Sequence, residues 1–207
     1  MTELVEAFDI CPFARGARTS GALKREVLLD ERADPAASLK LLDELAADER
    51  VVVAILIYPR LGASLAAFEQ FLVELRRAEE LRRGGRSPFV TALFHPALRW
   101  SAATPSQLVT FFRRSPDPSI QFVRFSALEA LRAAAPSGKF MFEWTEAGFA
   151  ELLRREKNQP VSARITADNF AMVAREGIAR LEAIFSDIAL DRALTHVRLG
   201  EKAPGAT

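Results

Sequence analysis

The sequence predicts an α/β sandwich: a central sheet of about four or five strands covered by helices, with further helices toward the C-terminus. Three observations predict it. The run Val51-Val52-Val53-Ala54-Ile55-Leu56-Ile57-Tyr58 is continuous and rich in β-branched residues, as in a strand buried on both faces. Comparable runs recur at Phe89–Phe94 and Ser119–Arg124. Between them lie stretches with apolar residues at helical spacing, and helices that connect strands must cover the sheet those strands form.

Leu4, Val5 and Phe8 share one helical face, so residues 2–10 read as a first helix, ended by Pro12 because the residue before a proline is pushed out of the helical region. Lys24 to Asp30, with Val27-Leu28-Leu29, reads as the first strand. Asp34-Pro35 supplies an N-cap and a proline at the first helical position of a helix running to about Asp48. Ser64 caps a long helix that ends in Arg82-Arg83-Gly84-Gly85, with cations in the last turn and glycine after it. Thr104-Pro105 opens a short helix ending near Arg114, and a helix capped by Ser126 follows the strand Ser119–Arg124. Beyond Pro136 the pattern becomes helical, over 145–157 and 166–194, with Phe140-Met141-Phe142 as a short edge strand. The expected organisation is a single α/β domain over 1–199, helical from about 137, and a disordered tail over 200–207.

A chain of 207 residues is long enough to bury a substantial core, and 49% hydrophobic with 27% charged residues is the balance of a soluble globular protein. Lys and Arg number 28 against 27 Asp and Glu, a net charge of +1, which argues against a broad phosphate-neutralising face and so against nucleic acid. The single cysteine excludes an intramolecular disulfide and a cysteine-rich zinc site. The N-terminus Met1-Thr2-Glu3-Leu4-Val5-Glu6 is acidic and unlike a signal peptide, and the run Val51–Ile57 is too short to span a bilayer. The expectation is a cytoplasmic protein without membrane contact, its oligomeric state open and a homodimer among the alternatives.

Chemistry is suggested at three places. Cys11 stands at a helix-to-loop junction before Pro12, with Arg15 and Arg18 close in sequence, and cations lower the pKa of a thiol. The plain alternative is a small buried hydrophobe. His95 follows a strand expected to be central, at the end where ligands bind in open α/β sheets; the plain alternative is a ring bonded to backbone at the strand end. Arg113-Arg114-Ser115-Pro116-Asp117-Pro118 is a rigid turn able to clamp a carboxylate or phosphate, or merely to close a helix. His196, the other histidine, lies on a polar helix and reads as solvated. No GxGxxG, Walker, HExxH or GxSxG motif occurs, which removes sequence support for dinucleotide, P-loop, zincin and α/β-hydrolase chemistry.

Taken together, Cys11-Pro12-Phe13-Ala14, Phe94-His95-Pro96 and Arg114-Ser115-Pro116-Asp117-Pro118 resemble a bacterial family known as domain of unknown function 1415, over roughly residues 3–132. The family name brings no established activity. This chain departs from the family pattern at Arg113, where asparagine is usual, at Asp117, where an aromatic is usual, and at Gln121, where a histidine is frequent. Such changes imply a divergent member.

The leading expectation is a small cytoplasmic enzyme with a Cys11, His95 and Arg114 site, an oxidoreductase using haem or a single transition metal on a small anionic molecule. Cys11 or His95 would ligate the metal, Arg15 and Arg18 would hold acidic groups of the cofactor, and Arg113, Ser115, Gln121 and Arg124 would contact substrate. The alternatives are cofactor-free thiol chemistry, with Cys11 as nucleophile and His95 as base, and a non-catalytic anion-binding protein.

Overall fold

A computed structural model of the chain describes residues 2–11, 14–133 and 161–198. The edge strand expected at Phe140-Met141-Phe142, the helix at 145–157 and the tail at 200–207 lie outside the described residues.

The N-terminal segment Thr2–Glu6 forms a wide π-helical turn rather than a helix to residue 10. Then follow α1 (Ala14–Thr19), β1 (Leu23–Val27), α2 (Pro35–Ala47), β2 (Val53–Ile57), α3 (Leu65–Arg82) and β3 (Phe89–Phe94). After these come α4 (Pro105–Phe112), β4 (Ser119–Arg124), α5 (Phe125–Ala133), α6 (Val161–Glu176) and α7 (Ile178–Arg198). The local chemistry explains the starts. Asp34, Ser64 and Thr104 each accept a hydrogen bond from a backbone N–H of the first turn of α2, α3 and α4. Several starts and stops differ from expectation: β1 ends at Val27, before Leu28-Leu29, and the helix expected from residue 166 begins at Val161. Chain direction turns directly from β4 into α5, leaving Ser126 inside the helix, and Gly177 at φ 82° splits the C-terminal helical run in two. Only glycine takes that backbone conformation without strain.

The four strands form one mixed sheet in the order β1-β2-β4-β3, with β1 parallel to β2 and β4 antiparallel to both its neighbours. The sequence places His95 after a central strand. In the structure β3 is last in the order, so His95 follows an edge strand; strand order depends on long-range pairing that local pattern does not carry.

Alternation along the strands divides the sheet into two faces. Ala54, Leu56, Ile120, Phe122 and Phe89 face α2 and α3 and form the first core with Leu42, Leu45, Phe68, Phe71 and Leu75. Within it Ser38 and Tyr58 share a hydrogen bond of 3.0 Å, and burial pushes the phenol up to about 12. On the other face Val53 packs with Ala17 and Ala22, while Ile55 and Gln121 are only half-buried. A second core contains no strand residue. Leu4 and Ile10 meet Leu108 and Phe111 of α4, Met172 and Val173 of α6, and Leu181 of α7. No described helix is long and apolar enough to cross a membrane.

Arg124 joins strand to helix at the far end of the sheet. Its guanidinium donates to the carbonyls of Val51 at 2.9 Å, Leu45 at 3.0 Å and Asp48 at 2.9 Å, the last two closing the C-terminus of α2. A side chain engaged on three carbonyls is a helix cap. Replacing Arg124 by Ala should therefore lower stability by about 2–3 kcal/mol in urea unfolding. Arg124→Lys should recover little of that loss, because one ammonium cannot fork across three acceptors. An unchanged midpoint in Arg124→Ala would mean those carbonyls are satisfied without it.

Candidate functional site

Cys11 lies where the N-terminal turn hands over to α1. The turn is closed by Phe8 N–H to Leu4 O at 3.2 Å and Ile10 N–H to Val5 O at 3.0 Å, with Asp9 in the left-handed region at φ 50°. The carbonyl of Cys11 then accepts from Ala14 N–H at 3.1 Å, at the start of α1. Asn169 of α6 donates to the carbonyl of Ile10 at 3.1 Å, so the turn is held from the helical core as well. Cys11 itself is half-buried.

The two arginines expected to hold a cofactor have an acidic partner in the chain. Arg18 grips the Glu6 carboxylate with both prongs, at 2.7 and 2.9 Å, and Arg15 donates to the Glu6 carbonyl at 3.1 Å. Glu6 is only 6% exposed. The hydrogen bonds from Arg18 hold its carboxyl below the usual 4.5, against the opposing effect of burial, and Arg18 is raised in return.

His95 is 4% exposed, and both of its ring nitrogens are bonded to backbone. The N–H of Ala97 donates to Nδ1 at 3.1 Å, so Nδ1 carries no proton. Nε2 therefore carries it and donates to the carbonyl of Ala63 at 3.2 Å. The ring packs on Phe68 at 5.8 Å between centroids, inside the first core. Neither nitrogen has a lone pair left for a metal or for a thiol proton. Among the described residues no three His, Cys, Asp or Glu side chains come together as metal ligands. The donors around His95 do not fit a transition metal or a haem iron.

The arginine turn is also tied down. The Arg113 carbonyl accepts from the His95 backbone N–H at 3.1 Å, so these two motifs are neighbours along the chain ends of β3 and α4. Their side chains diverge, His95 into the first core and Arg114 into the second. The Arg114 guanidinium lies 4.4 Å from the ring centre of Phe111, 4.5 Å from Phe185 and 5.3 Å from Trp100, with a Glu182 oxygen 3.1 Å away. Ser115 and Ser119 both donate to the Asp117 carbonyl, while the Asp117 carboxylate pairs with Arg192 of α7. Gln121 sits in mid-strand, between Ile55 and Ala92, away from the turn.

What sequence reasoning missed lies alongside α4. A shallow open groove of about 480 Å³ is lined by Arg99, Trp100, Ser101, Gln107 and Thr110. Leu108 and Phe111 face the core, so Gln107 and Thr110 fall on the outer side of the same helix. Arg99 and Arg113 are exposed and form no ion pair among the described residues. The legible signal was an Arg-Trp pair just before an amphipathic helix. A smaller cavity of about 150 Å³ lies between α3 and β3, away from all three motifs, and its buried Glu79 already pairs with Arg83 at 2.7 Å.

Two outcomes test these assignments. The Glu6–Arg18 pair should contribute stability that is complete above the unfolded carboxyl pKa and disappears as pH falls through the lower folded value. The urea midpoints of the native protein and Glu6→Gln should thus differ at neutral pH and converge below about pH 4; a gap independent of pH would refute the pairing. His95→Ala should lower the unfolding free energy by about 1–3 kcal/mol without slowing alkylation of Cys11 by iodoacetamide. Slowed alkylation would restore His95 as a base.

No curated protein and no solved structure matches the chain. A family model described as protein of unknown function (DUF1415) matches residues 1–159, and the chain belongs to that family.

Proposed function

We propose that the protein binds a small anionic molecule in the groove along α4, without a metal or haem, and that recognition rather than redox chemistry is its activity. One observation carries this reading. Arg99, a cation with no ion pair among the described residues, stands beside the half-buried ring of Trp100 in a groove that also holds Ser101, Gln107 and Thr110. An unpaired guanidinium offers forked hydrogen bonds to carboxylate or phosphate, and an indole offers a surface for a planar or apolar body. The hydroxyls add direction. Ser101 accepts from Ala103 N–H at 3.1 Å and so keeps its proton for a ligand. Thr110 donates to the Gln107 carbonyl at 2.8 Å and so keeps its lone pairs.

The test is calorimetric titration with phenyl phosphate and with benzoate, probes that join an aromatic ring to a dianion and a monoanion. Binding by the native protein and a loss of about tenfold or more in Arg99→Gln are expected, since hydrogen bonds to a charged group contribute about 1.5–3 kcal/mol. Absence of binding at millimolar concentration, or equal affinity in Arg99→Gln, would overturn the reading.

A further inference from the structure

The geometry points to Arg114 as a second cation of this groove, held back by Glu182 of α7, so that the site favours a dianion of the phosphate-monoester class over a monocarboxylate. The ligand class rests on the anion-binding reading; the restraint of Arg114 by α7 does not.

Trp100 is the shared wall. It lines the groove, and the Arg114 guanidinium lies over its ring at 5.3 Å. On its other sides Arg114 meets Phe111 and Phe185, whose rings contact each other edge to face at 5.1 Å. Glu182, Phe185 and Arg192 recur along one side of α7 and lie against residues 111–118 and Pro59. The helix therefore acts as a strap across the turn.

The closed strap is imperfectly satisfied. One Nη of Arg114 is buried and lacks an aligned acceptor, although a Glu182 oxygen lies 3.1 Å away, and the Nε of Arg192 is buried with no hydrogen bond among the described residues. Buried donors left unmade are costly, so the closed arrangement is poised rather than deep. Glu182 is also the more exposed partner of its pair, at 37% against 18% for Arg114, so water screens the carboxylate and weakens its hold. A phosphate dianion seated beside Arg99 carries more negative charge than that one guanidinium neutralises, and the excess draws on Arg114 across the shared Trp100 ring in competition with Glu182. A monocarboxylate is satisfied by Arg99 alone and has no charge left with which to compete. Phosphate-class binding is thereby coupled to loosening of α7, and by linkage anything that loosens α7 favours that ligand.

The experiment combines titration with hydrogen exchange on the full chain. Glu182→Gln keeps shape and removes the competing charge. It should tighten phenyl phosphate about threefold, the scale of a solvent-screened ion pair, and leave benzoate unchanged. In the native protein phenyl phosphate, but not benzoate, should speed exchange of α7 amides relative to those of β2 and β4. Equal effects on both probes, or α7 exchange indifferent to phenyl phosphate, would overturn the proposal while leaving the groove as a binding site. If neither probe binds, the proposed function fails on its own. Exchange without ligand then tests the restraint: faster α7 exchange in Glu182→Gln upholds it, and unchanged exchange removes it.

Discussion

The turn from Arg113 to Pro118 is the joint between two hydrophobic cores, and the rest of the structure depends on its being satisfied from several sides at once. The His95 N–H reaches the Arg113 carbonyl, and the Tyr58 N–H reaches the Pro118 carbonyl at 2.9 Å, which ties the turn to the ends of β3 and β2. Arg114 and Asp117 tie it to α7. Prolines at 116 and 118 cannot donate and hold their own backbone angles, so the turn is rigid before any partner arrives. Fixing it places the sheet with α2 and α3 on one side and the packed helices α4, α6 and α7 on the other.

That joint explains why residues singled out by their chemistry turned out to be engaged in structure. A buried histidine with two backbone partners meets the requirement that buried polar groups be satisfied, and the Arg114 guanidinium is enclosed by three aromatic rings with Glu182 as its counter-charge. The same residue types at the same spacing would serve a catalytic site. What separates the two uses is whether an orbital or a proton remains free, and for His95 none does. The groove beside α4 has the opposite character, with Arg99 and Gln107 facing outward and not engaged with each other.

Much of the local structure was legible from residue chemistry. Asp34-Pro35, Ser64 and Thr104-Pro105 mark helix starts because their oxygens satisfy first-turn N–H groups, and Gly84 and Gly85 mark an end because both adopt positive φ. The β-branched run at Val53–Ile57 is a strand inside the sheet, as expected. The misses share a cause. Strand order, which put His95 after an edge, and the partners of the arginines are set by contacts between distant residues. Arg18 finds Glu6, Arg114 finds Glu182, and Arg192 finds Asp117. Nothing in the local sequence around Arg114 announces that its counter-charge lies on the last helix. The break at Gly177 is different, since a lone glycine in a helical run was visible and was outweighed by the apolar periodicity on both sides.

Kinship and packing end at different places in this chain. Family similarity stops at residue 159, yet α6 and α7, which lie beyond it, supply Met172, Val173 and Leu181 to the second core and grip the Cys11 turn through Asn169. A chain trimmed to the recognisable part would keep the sheet and its first core but turn Leu4, Ile10, Leu108 and Phe111 toward water. The helices past the similarity boundary are therefore a built-in part of the second core rather than an appendage. The Cys11 turn, one of the motifs by which the family is recognised, thus takes part of its support from residues outside the matching stretch.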